Sequence, residues 1–160
     1  AARLAAAAGV DQGPVDLPGP TGEGNSLTLA ARGLVLCLGP SAEVLLDQVV
    51  QALAFGNAVV AIAPGAVEAL KPLTGQGLPL AVADGVADER LLGEVKLDAV
   101  ALHAGEDDLR RVRRALAARK GAIVRLIDER LAPSAYVHER ALCVDTTAAG
   151  GNASLLAAAG

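Results

Sequence analysis

From residue 33 onward the chain alternates short unbroken aliphatic runs with polar stretches of helical period. The runs cover residues 33–38, 58–63, 78–83, 98–102 and 122–127. Runs that do not alternate with polar residues predict strands buried on both faces, and helices between them predict parallel crossovers. Ser41 stands where an N-cap is needed, Val44, Leu45, Val49 and Leu53 recur at helical spacing, and Gly56-Asn57 supplies the stop. A second helix is predicted over residues 106–120, closed by Gly121. The fold expected is α/β: a doubly wound, mostly parallel Rossmann-like sheet with helices on both faces.

The flanks read differently. Residues 1–25 mix Ala, Gly and Pro without a lasting period, which is linker or surface-arm chemistry. Residues 26–30 alternate, with Leu27 and Leu29 on one face, and residues 140–145 form a last strand-like run. These two pieces are expected to pair as a small antiparallel two-stranded arm. The organisation predicted is an arm (1–25), a Rossmann-like domain (26–145) and a docking tail (146–160). That tail, Thr146, Thr147, Ala148, Ala149, Gly150, Gly151, Asn152, Ala153, Ser154 and Leu155 onward, is small and apolar around a Gly pair. Small side chains permit close backbone approach, so it reads as a segment built to lie in a narrow crevice of a partner.

Composition narrows the function. Ala, Leu and Val must build the core, because there is one Phe, one Tyr, no Trp and no Met. A formal charge of −4 gives no reason to expect nucleic acid. The basic cluster of Arg110, Arg111, Arg113, Arg114, Arg119 and Lys120 follows Glu106, Asp107 and Asp108, an order that suits the dipole of a solvated helix. Cys37 and Cys143 lie in apolar runs and read as buried free thiols of a reducing, cytoplasmic compartment. No metal-ligand spacing is present, and the longest aliphatic stretch is too short to span a bilayer. A chain opening on Ala-Ala-Arg reads as a piece of a longer protein.

Candidate chemistry is sparse. A doubly wound sheet binds ligands beyond the C-terminal ends of its strands. There the first strand leads into Leu38-Gly39-Pro40-Ser41, with one glycine where a dinucleotide fingerprint needs three. His103, ahead of Gly105-Glu106-Asp107, would be a base held by a carboxylate in a catalytic reading. The reading preferred is an imidazole bonded to backbone. His138 beside Glu139 and Arg140, and the group Asp84, Asp88, Glu89 and Arg90, read as solvated charge clusters. Cys143 would need a cationic neighbourhood to become reactive, and Arg140 is the one cation at hand.

Two motifs carry a resemblance. Leu17-Pro-Gly-Pro-Thr-Gly-Glu-Gly-Asn25 with Arg32-Gly-Leu-Val-Leu-Cys-Leu-Gly39 resembles the start of the C-terminal domain of proline utilization A. That family comprises bifunctional proline dehydrogenase and glutamate semialdehyde dehydrogenase enzymes. Glu139-Arg-Ala-Leu-Cys-Val-Asp-Thr-Thr-Ala-Ala-Gly-Gly-Asn-Ala-Ser-Leu155 is similar to the family's terminal signature, with Asp145 where the family usually has Asn.

The segment between them resembles a decayed aldehyde dehydrogenase nucleotide domain. Gln51-Ala-Leu-Ala-Phe-Gly-Asn-Ala-Val-Val60 is similar to a segment that in active relatives runs on to a ribose-holding Lys; Ile62 and Ala63 stand there. Pro40, Ser41 and Ala42 stand where active relatives carry an oxyanion-supporting Asn, and of a Gly-Ser/Thr turn near the cofactor only Gly105 is retained.

The resemblance implies a domain without catalysis or cofactor of its own, in a parent that uses FAD and NAD. It would pack on the aldehyde dehydrogenase domain of the same polypeptide, mimic a dehydrogenase dimer contact and help close the cavity through which the intermediate passes. It leaves homo-oligomerisation through the parent open. The alternative is the nucleotide-binding half of an NAD-dependent aldehyde dehydrogenase.

Overall fold

The structure, a computed structural model, describes residues 13–145. In chain order its elements are β1 (Val15–Leu17), β2 (Glu23–Ala31), β3 (Leu34–Cys37), α1 (Ala42–Ala54), β4 (Ala58–Ile62), α2 (Ala66–Ala69), β5 (Leu80–Ala83), α3 (Glu89–Glu94), β6 (Ala99–Ala101), α4 (Glu106–Ala117), β7 (Arg125–Ile127), a 3-10 turn (Pro133–Tyr136) and β8 (Val137–Asp145). They divide into two compact units, one of residues 30–138 and one of residues 13–29 with 139–145.

The larger unit is the α/β domain the aliphatic runs predict. Its five strands stand in the order β5-β4-β3-β6-β7, and every pairing is parallel. The order steps outward from β3 in both directions, so the sheet's switch point lies between β3 and β6. All five strands fall inside the aliphatic runs. In β3, Leu36 packs into a cluster with Leu92, Leu97, Val100, Leu102, Val112 and Val124. Val35 and Cys37 take the opposite face by strand alternation and are equally buried. Fully burying one such aliphatic side chain stabilises by about 1.5–3 kcal/mol, so this Leu/Val-rich interior needs few aromatics. The single Phe and single Tyr, Phe55 and Tyr136, are both buried.

The helix boundaries follow local chemistry. Ser41 Oγ accepts the Val44 N–H at 3.4 Å, and Val44, Leu45, Gln48, Val49 and Ala52 form the buried stripe of α1. Gly56 takes φ +81° after the helix, a conformation glycine adopts without a Cβ penalty. α4 stops at Ala117 with its cap at Ala118, short of the expected Lys120. There the Arg119 guanidinium turns away to the Leu92 and Val95 carbonyls of the α3 end, anchoring the chain before Gly121 is reached.

The smaller unit is a sheet of order β1-β2-β8. β2 and β8 contain the predicted pair, and a further strand joins them. β1 pairs antiparallel with β2, Val15 opposite Leu27 and Leu17 opposite Asn25. The chain from Val15 to Leu17 gave no strand signal because Pro14 and Pro18 bracket it. β2 also begins earlier than residue 26, at Glu23. The tail residues Thr146, Thr147, Ala148, Ala149, Gly150, Gly151, Asn152, Ala153, Ser154 and Leu155 lie outside the described residues.

Candidate functional site

The crevice at the switch point is where this fold places a ligand. It measures about 250 Å³, and its lining includes Leu38, Gly39 and Pro40 after β3, Ile62 and Ala63 at the end of β4, and Leu102 after β6. Gly85, Val86 and Ala87 form one side, with Val86 75% exposed. Its charged members are Asp108 and Arg111 of α4, which pair with each other at 3.5 Å.

The first turn of the crevice is tightly built. A Cβ on Gly39 would stand 2.5 Å from the Leu45 backbone N and 2.7 Å from its Cα. Glycine is therefore required where β3 turns into α1. Its role is close packing of strand against helix, and the next residue, Pro40, has no N–H to offer an anion. Among the described residues, no group of three or more His, Cys, Asp or Glu could hold a metal ion.

His103 is exposed at the end of β6, its Nδ1 3.0 Å from the Asp128 carbonyl oxygen. A carbonyl only accepts, so Nδ1 carries the hydrogen and donates, which is the backbone-bonded imidazole the sequence suggests. The carboxylates nearby are engaged elsewhere. Arg113 donates to Asp128 Oδ2 at 2.8 Å, Arg110 pairs with Glu106 and Asp107, and Arg113 reaches Glu106. Among the described residues, no carboxylate of the kind a general base uses is bonded to His103. Asp88 caps α3 through the Leu91 N–H at 2.7 Å, and Arg90 pairs with Glu94, so this cluster has a structural purpose. His138 is half-buried.

The two thiols part company. Cys37 is fully buried, and desolvation pushes its thiol well above the usual range, leaving it unreactive. Cys143 corrects the sequence expectation, because it is exposed. β8 lies in a thin three-stranded sheet, and its residues 139–145 are all exposed. The Cys143 Sγ lies 3.9 Å from the Glu23 carboxylate, to which it donates.

What the sequence did not reveal is a polar strap along α1. Gln51 Nε2 donates to the Arg130 carbonyl at 3.0 Å, and Gln51 Oε1 accepts the Ala132 N–H at 2.9 Å. Arg130 donates to Asp47 at 2.7 Å and to Glu43 at 2.5 Å, and these bonds hold its pKa up. In this way the connection from β7 to the 3-10 turn is tied down side chain by side chain.

Relatives carry the same pattern over most of the chain. Bifunctional protein PutA of Salmonella typhimurium is 41% identical over 152 residues, which is 88% of this chain and 11% of that protein. Bifunctional protein PutA of Escherichia coli is 38% identical over 154 residues, again 88% and 11%. The chain is homologous to PutA over most of its length. It spans about a tenth of the length of the curated relatives it matches. No family model matches the chain. A crystal structure of bifunctional proline utilization A is 32% identical with a TM-score of 0.59, over 73% of this chain and 13% of that one. An NAD-dependent benzaldehyde dehydrogenase from Corynebacterium glutamicum superposes with a TM-score of 0.61 at 19% identity, over 72% of this chain and 28% of that enzyme. That likeness shows an aldehyde dehydrogenase-like fold. Among the described residues no helix is long and apolar enough to cross a membrane.

Proposed function

We propose that this chain is a non-catalytic, aldehyde dehydrogenase-like domain of a bifunctional enzyme that oxidises proline to glutamate. It packs on the aldehyde dehydrogenase domain of the same polypeptide and helps seal the cavity through which the intermediate travels, using Thr146 to Leu155 as the docking segment. The observation that carries this reading is β8. Residues 139–145 of that strand are exposed, Leu142 is 60% and Val144 47% accessible, and β8 stands last in its sheet. An apolar sheet edge of this kind invites cover by another chain segment, and it runs directly into Thr146. The crevice at the switch point supports the absence of a cofactor, since its lining offers an ion pair already closed on itself and no glycine-rich turn.

The test is deletion of residues 146–160 from the full polypeptide, with Leu142→Lys/Val144→Lys as a companion variant. Coupled proline-to-glutamate turnover should slow or assembly weaken, while proline dehydrogenase activity assayed alone stays near the wild-type value. Unaltered coupled kinetics together with unaltered assembly would dispose of the proposal. The alternative, a nucleotide-binding half of an NAD-dependent enzyme, is separated from it by direct titration with NAD.

A further inference from the structure

We draw no further inference here: the strongest candidate, the buried side-chain cluster of Gln48 on α1 and Tyr136 in the 3-10 turn, leaves an amide and a hydroxyl without a hydrogen-bond partner among the described residues, but nothing in the structure shows what would pair with them.

Discussion

Asn57 Nδ2 donates to the Tyr136 carbonyl at 3.0 Å across 79 positions of sequence. The same amide donates to the Ala52 carbonyl at 2.9 Å and accepts the Gly33 N–H at 3.1 Å, all in a fully buried position. One side chain therefore joins the start of β3, the end of α1 and the 3-10 turn. In Asn57→Ala each of these partners loses its bond, and a buried unsatisfied group costs about 1–3 kcal/mol. We expect a loss of roughly 3 kcal/mol or more in denaturant-induced unfolding. Asn57→Asp should not rescue it, since a carboxylate can accept from Gly33 but cannot donate to either carbonyl.

Gly33→Ala is expected to be costly for a different reason. Gly33 has φ +128°, and an added Cβ would collide with the Asp98 carboxylate, which accepts the Leu34 N–H at 2.7 Å. A destabilisation of roughly 1–3 kcal/mol follows from the backbone alone. Calorimetric unfolding measures it; the double variant Gly33→Ala/Asp98→Ala should recover only the collision and not the strained φ.

These two relationships also show where sequence reading stops. The five parallel strands were legible because burial on both faces writes itself as unbroken runs such as 33–38 and 58–63. The cap at Ser41 and the stop at Gly56 were legible because capping is local. Asn57 was legible only as part of a helix stop; its partner Tyr136 lies 79 residues away, and no period links them. The strap of Gln51, Arg130 and Ala132 was invisible for the same reason. β1 was missed because three residues between prolines carry too little alternation to register. Cys143 was misjudged because an apolar run reads as a buried one, whereas residues 139–145 of β8 are exposed.

The strap separates a semi-buried bond from exposed ones. Gln51→Ala removes two bonds to backbone groups of the connection and should cost about 1–2 kcal/mol. Arg130→Ala removes ion pairs that are open to solvent and should cost less than Gln51→Ala, and less still in high salt. Denaturant unfolding of the two variants ranks them. If Arg130→Ala proved the more damaging, the strap would be held by charge rather than by the Gln51 amide.

Alkaline pH should weaken the fold through Cys37 and Tyr136. Burial raises both pKa values, with the charges of Cys37 and Asp47 adding to the effect at Tyr136. In the unfolded chain these groups ionise near about 8.5 and about 10. Above those values the unfolded state binds fewer protons than the folded one, so stability falls as pH rises. The contribution is fully present below about pH 8 and is lost at up to about 1.4 kcal/mol per pH unit for each group. Cys37→Ser and Tyr136→Phe should each flatten the decline. Thiol labelling gives an independent check: Cys143 should react in the native protein and Cys37 only on unfolding.

Direct titration with NAD bears on the deepest part of the functional reading. At the switch-point crevice Gly39 is packed against Leu45, Pro40 lacks a donor, Ile62 is apolar and Arg111 is closed on Asp108. A pyrophosphate placed there would meet one glycine turn, a proline that offers no N–H and one cation already paired with a carboxylate. Such a ligand would find little to offset the desolvation of its two charges. Calorimetry should accordingly detect no binding tighter than about 1 mM. Micromolar affinity would mean that the crevice opens and rearranges Arg111 toward the ligand. The chain would then have to be reassigned as the nucleotide-binding half of an enzyme.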